Sequence, residues 1–254
     1  MPRCGIDSVR LRNLRRRRAS NRPAAMKRTT PVSNRPNNAS TLRRRQALFA
    51  LSALGAVPLA PAHAAAGGGT PSQSLGPFYP RHAGERPAQT DADLLAFDGE
   101  RLLGRGVPLY LTGRVLDRGG RPLAQAEVEI WQCDANAVYH HPAGGAESER
   151  DPHFQGYGRA LTEADGRFHF RTIRPVPYPG RTPHIHVRVA RRGGGALATQ
   201  LYLPEEPANA GDFLFRQLSP EEQAALTLTL GPTESRHPLA QGTRVTATTE
   251  LRLA

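Results

Sequence analysis

The chain has 254 residues, with 34 Lys and Arg against 22 Asp and Glu and a formal net charge of +12. Fourteen of the bases and a single acid, Asp7, fall in residues 1–45, which leaves 20 bases against 21 acids in the rest. A nucleic-acid binder keeps its basic patch in the folded domain, and Cys133, the one thiol beyond Cys4, cannot close an internal disulfide, so neither of those classes fits.

Residues 41–66 read TLRRRQALFALSALGAVPLAPAHAAA. An arginine cluster, Arg43 to Arg45, precedes an apolar run from Ala47 to Leu59, and Ala62-His63-Ala64 supplies an A-x-A cleavage site. The paired arginines with Leu48 resemble a twin-arginine export signal, with Ala47 where an aromatic is common. The apolar run is short and holds Pro58, which argues against a membrane-spanning helix of about 20 apolar residues. Residues 1–64 are therefore expected to be a basic leader and signal peptide, with Met26-Lys27-Arg28 as the true start, and the mature protein to be exported.

Beyond the leader, residues 65–98 read as a linker and N-terminal arm, and residues 99–254 as one β domain. Leu109–Leu116 is apolar and β-rich, and Asp117–Arg121 is a turn with Gly119-Gly120. Ala126–Gln132 alternates, placing Val128 and Ile130 on one face and Glu127, Glu129 and Trp131 on the other. Residues 133–157 form a long loop rich in Asp, Asn, His, Pro and Gly. A turn at Glu163–Gly166 leads into a strand over Arg167–Ile173. Pro175–Pro183 holds four prolines and cannot be a central strand. His184–Ala190 alternates again, Arg191–Gly195 turns, and Leu197–Leu203 returns. A short helix is predicted around Ser219–Ala225, with Ser219 as N-cap and Glu222 three residues on. Residues 227–230 and 243–253 give two further β runs. Many short strands with frequent turns predict an all-β, antiparallel sandwich with long loops.

His184-Ile185-His186 is the sharpest local feature, because i and i+2 on a strand project to the same side and two imidazoles can reach one metal ion. Upstream, the prolines of Tyr178-Pro179-Gly180-Arg181-Thr182-Pro183 stiffen the loop that carries Tyr178. Tyr139 sits in the loop after a strand. Two phenols and two imidazoles form an N2O2 set, and phenolate is a hard anionic donor suited to an oxidised iron.

Four ordered blocks resemble the intradiol ring-cleavage dioxygenases: Leu75-Gly76-Pro77-Phe78-Tyr79; Thr112 to Asp117 running on through Ala126–Gln132 to Asn136 and Tyr139; Tyr178 to His186; and Thr199-Gln200-Leu201-Tyr202-Leu203-Pro204. The resemblance spans roughly residues 70–230. It implies Fe(III) with Tyr139 and His184 as equatorial ligands and Tyr178 and His186 as axial ones, Arg181 beside the substrate, and Gln200 near the oxygen pocket. It further implies a catecholic substrate, O2 as co-substrate, and cleavage to a cis,cis-muconate-type dicarboxylate. Ala137 stands where the family usually has glycine. The short spacing from Tyr178 to His184 and the missing helical linker place the chain nearer the protocatechuate-cleaving subunits and their secreted relatives.

The expected partners are a small catechol and O2, with no nucleic acid, no membrane in the mature form, and a homodimer as one open assembly. Two rivals stay open: an iron-free β-sandwich binding module, and a zinc hydrolase built on His184, His186 and a carboxylate. His140, His141, His153 and Tyr157 fall in the variable loop, where histidines ordinarily face water. Trp131 is expected in the core beside the ligand loop, and Cys133 as a small buried residue.

Overall fold

The computed structural model describes residues 68–254 apart from 88, 89 and 100. The basic leader, the signal peptide and the start at Met26 lie outside the described residues. After a two-residue hairpin, β1 (Phe97–Asp98) with β2 (Arg101–Leu102), the chain builds two four-stranded sheets. Strands β3 (Pro108–Leu116), β6 (Arg167–Ile173), β9 (Thr229–Pro232) and β10 (Val245–Arg252) form one sheet in the order β6-β3-β10-β9. Strands β4 (Glu127–Trp131), β5 (Tyr157–Leu161), β7 (His184–Ala190) and β8 (Ala196–Tyr202) form the other in the order β5-β4-β7-β8. Helix α1 (Pro220–Leu226) carries the expected capping box: Ser219 Oγ accepts the Glu222 N–H at 3.3 Å and Glu222 accepts the Ser219 N–H at 2.8 Å.

The sandwich is as the alternation predicts, with one difference in pairing. β10 runs parallel to β3, Val245 opposite Leu109 through Arg252 opposite Leu116, while the other pairs are antiparallel. No hairpin joins these two strands, so turn geometry does not dictate their direction. β5 is a strand the sequence concealed, because Gly158 and an exposed Leu161 blur its alternation. Tyr157, expected in the loop, is its first residue.

Between the sheets lie Leu109, Leu111, Val115, Val128, Ile130, Phe168, Phe170, Ile185, Val187, Val189, Leu201 and Leu251, all buried. One end of the outer face of the β5-β4-β7-β8 sheet, around Glu129, Trp131, His184, His186, Gln200 and Tyr202, is also buried, which a simple two-layer sandwich does not require. The arm of residues 71–79 covers it. Gln73 N–H donates to the Ala198 carbonyl at 2.8 Å, Tyr202 donates to Gln73 Oε1 at 2.9 Å, and Tyr79 donates to Glu129 at 3.0 Å. A dry second surface outside the main core therefore exists, and the site is built there. Among the described residues no helix is long and apolar enough to cross a membrane.

Candidate metal centre

Register brings the site together. On β7, Ile185, Val187 and Val189 face the core, so His184 and His186 face the covered outer side. His186 stands opposite Trp131 on β4 and opposite Gln200 on β8, and His184 stands opposite Tyr202. Trp131 stacks on His186 with ring centroids 4.8 Å apart and planes 8° apart. The ring contact fixes the plane of an imidazole that has no room to turn.

Tyr139 reaches the same spot from the loop after β4, and Asp134 shapes that loop. Asp134 Oδ1 accepts the N–H groups of Asn136 (2.8 Å) and Val138 (3.0 Å), while Oδ2 accepts the Asp151 N–H (2.7 Å) and faces His140 Nε2 at 3.2 Å. Between them Ala137 sits at φ +65°, the left-handed conformation that favours glycine. The alanine keeps the glycine-type backbone turn, so Tyr139 still points inward. Its ring is buried under Phe78, stacked at 4.2 Å. Gly76 of the same segment lies where a Cβ would meet His186 Cε1 at 3.3 Å, and its φ is +73°. Residues 75–79 thus form the lid over two candidate ligands.

Tyr178 comes from the proline-rich loop, where Arg181 N–H donates to the Tyr178 carbonyl at 2.9 Å and closes a turn through Gly180. Its ring lies edge-on to Tyr139 at 5.5 Å and 5.6 Å from His184. It is half-buried, in contrast to Tyr139. Tyr139 Oη is 3.5 Å from His184 Nε2, and His184 Nε2 is 3.2 Å from His186 Nε2. The structure brings Tyr139, Tyr178, His184 and His186 to one place.

The chemistry of these donors fits a cation. His184 Nδ1 donates to the Thr182 carbonyl at 2.6 Å, which leaves the Nε2 lone pair facing His186 Nε2 and Tyr139 Oη. Burial lowers the pKa of His184 to about 4 and that of His186 well below its usual value, so both are neutral and able to ligate. Burial, with Tyr178 close by, pushes the Tyr139 phenol well above 10, so it ionises only against a strong positive charge. Nitrogen ligands about 2.1 Å from one metal and at right angles stand about 3 Å apart, close to the spacing of the two imidazoles. Among the described residues the His, Cys, Asp and Glu side chains close enough to share a cation are Glu163, His169 and His237, not His184 and His186, so no carboxylate stands with these two histidines as the zinc alternative requires.

Arg181 and Gln200 complete the wall. Arg181 Nη1 lies 3.5 Å from His184 Nε2, and Nη2 donates to Gln200 Oε1 at 2.5 Å. That bond turns Gln200 Nε2, buried and without a partner among the described residues, away from Arg181.

Several contributors were not legible beforehand. Glu129 is fully buried beneath the lid and accepts hydrogen bonds from Tyr79, Tyr157 and Arg188. A glutamate flanked by apolar strand residues was the available signal. His141, expected in water, is buried, with Nε2 3.7 Å from Glu85. Cys133, by contrast, is buried as expected, and its thiol is pushed up to about 12 by desolvation, so it is inert. A separate group, Glu163, His169 and His237, gathers ligand atoms within 4.8 Å. There His237 Nδ1 accepts the Leu239 N–H, so neutral His237 carries its proton on Nε2 and offers no second lone pair.

The family model described as Dioxygenase matches residues 75–235. The protocatechuate 3,4-dioxygenase beta chain of Burkholderia cepacia is 36% identical over 176 residues, covering 64% of this chain and 73% of that one. Hydroxyquinol 1,2-dioxygenase of Rhizobium sp. (strain MTP-10005) is 30% identical, covering 60% of this chain and 54% of that one, so the chain spans about half the length of that relative. Among solved structures, the dioxygenase domain of a dioxygenase carbohydrate-binding protein fusion from Streptomyces sp. SirexAA-E superposes with a TM-score of 0.55 at 32% identity, covering 73% of this chain and 98% of that one. With the matched blocks and these likenesses in agreement, the chain belongs to the intradiol ring-cleavage dioxygenase family.

Proposed function

We propose that the chain binds iron(III) through Tyr139, Tyr178, His184 and His186 and uses O2 to cleave a catechol between its hydroxylated carbons, giving a cis,cis-muconate-type dicarboxylate. The observation that carries this reading is the meeting of two neutral imidazoles and two phenols at one buried point, with His184 Nε2 3.2 Å from His186 Nε2 and 3.5 Å from Tyr139 Oη. Tyr139, Tyr178, His184 and His186 would hold the ferric ion, which when bound would supply the Lewis acidity that makes a catechol reactive toward O2.

The remaining work belongs to the chain. His184 and His186 stay neutral and fixed, one by the Thr182 carbonyl and the other by the Trp131 face. Tyr139 is locked under Phe78, whereas half-buried Tyr178 on the rim is free to turn aside and accept a proton from the incoming diol. Arg181 presents a permanent positive charge beside the ring and stabilises negative charge that develops on carbon. Gln200 Nε2 offers an N–H to a reactant oxygen. Phe78 and Trp131 exclude water from the closed side.

The twin-arginine-like leader supports export of the mature chain. The decisive functional test is oxygen uptake by the iron-loaded protein across a panel of catechols, with the product identified. A muconate-type product supports the reading. Absence of uptake on every catechol, or a product opened beside the hydroxylated carbons instead of between them, contradicts it.

A further inference from the structure

Arg181 is aimed by a residue that none of the sequence blocks contains. Asp212 follows the turn Pro207–Gly211 and is 2% exposed. Its Oδ2 accepts from Arg181 Nε at 2.8 Å and from the Thr182 N–H at 3.0 Å. Its Oδ1 accepts the N–H groups of Leu214 (3.0 Å) and Phe215 (2.9 Å). Four donors therefore converge on one carboxylate. From the same turn, Asn209 Oδ1 accepts the Thr182 hydroxyl at 2.7 Å, while Asn209 Nδ2 donates to the Leu203 carbonyl at 3.0 Å.

With Nε held by Asp212 and Nη2 by Gln200, the guanidinium is left with Nη1 facing the metal position, 3.5 Å from His184 Nε2. The Phe213 ring lies 5.4 Å from the guanidinium carbon and closes its open face. Through the main chain, Asp212 also fixes Thr182, whose carbonyl accepts from His184 Nδ1 and so decides which imidazole nitrogen is free. We propose that Asp212 is the positioning residue of this site, one buried carboxylate that sets the direction of the Arg181 guanidinium, while Thr182, held also by Asn209, keeps His184 in place. The proposal rests on the iron-dependent dioxygenase reading given above.

A carboxylate is required because each oxygen accepts two N–H groups. An amide in its place turns an NH2 toward one pair of donors. In one orientation Asp212→Asn turns its NH2 on Arg181, and in the other it leaves Arg181 a neutral acceptor in place of a charged one, so the hold on Arg181 weakens either way; Asp212→Ser, with a single acceptor oxygen, is the second variant should the first not fold. The experiment compares wild type, Asp212→Asn, Arg181→Gln and the double variant. Iron per chain and oxygen uptake on catechol are measured, as is phenylglyoxal labelling of Arg181 in the metal-free protein.

We expect Asp212→Asn to retain its iron, to lose about tenfold or more in turnover with little change in KM, and to expose Arg181 to faster labelling. Asp212→Asn added to Arg181→Gln should cost less than about twofold more, because the two residues act as one unit. An active wild type with an Asp212→Asn variant of equal turnover and equal labelling overturns the proposal alone, as do losses that multiply in the double variant. A wild-type chain that takes up neither iron nor oxygen overturns the dioxygenase reading and the proposal with it.

Discussion

Ala137→Gly should stabilise the protein without disturbing the site. Ala137 holds φ +65° in the tight loop that delivers Tyr139. An L-residue in the left-handed region costs about 1–2 kcal/mol. Glycine removes that cost but gives back about 0.5–1 kcal/mol in unfolded-state freedom. Ala137 is partly exposed, so deleting its methyl leaves no core cavity. The net gain is about 0.5–1 kcal/mol, or about 1–4 °C in Tm for a domain of this size. Thermal unfolding of the metal-free chain measures it, with turnover of the iron-loaded form as control. Ala137→Val is the opposing arm: a β-branched residue at this angle should lose about 1–3 kcal/mol. A Tm that falls with glycine, or that is indifferent to both changes, refutes the argument that Asp134 forces this turn.

Three further outcomes follow from the same geometry. His184→Ala should lose most of its iron and Tyr178→Phe should shift the visible colour and slow turnover; full iron and full activity in His184→Ala would show the ligand assignment to be wrong. Glu129→Gln leaves the hydroxyls of Tyr79 and Tyr157 and the half-exposed Arg188 without their carboxylate, and should lower stability by about 1–3 kcal/mol. Proteolysis should then open residues 71–87 first, and an unchanged denaturant midpoint counts against an anchored lid. For Asp134 and Asp212, burial alone raises the pKa, but hydrogen bonds from His140 and backbone amides in the first case, and from Arg181 and backbone amides in the second, outweigh it and hold both below the ordinary 3.8. A folded pKa below the unfolded one means that the stability is fully present above about pH 4 and is lost as pH falls through the lowered values. Urea titrations between pH 6 and pH 2 should show that decline, and stability rising on acidification runs against it.

Much of the site was legible because strand periodicity carries it. His184 and His186 must share a face of any strand, and the prolines from 175 to 183 mark the loop that brings Tyr178 beside them. The strands at Arg167–Ile173 and His184–Ala190 have the expected bounds for the same reason. What stayed hidden depends on contacts between distant segments. Glu129 looks like a solvent-facing residue until the arm is laid across the sheet. Asp212 is one acid in an unremarkable loop until that loop folds back on Thr182. The parallel pairing of β3 with β10 joins the two ends of the domain, and no local pattern encodes it. Ala137 shows the converse: the residue departs from the family, yet the hydrogen bonds of Asp134 preserve the backbone angle.

Two tyrosinates and two histidines of this chain are expected to hold ferric iron. Visible absorption of the purified, iron-loaded mature chain, read beside its iron content, tests this most directly. The expected result is one iron per chain and a red to burgundy tyrosinate-to-iron band, altered in Tyr178→Phe. A colourless protein that binds iron in full, or one that takes zinc and excludes iron, contradicts it.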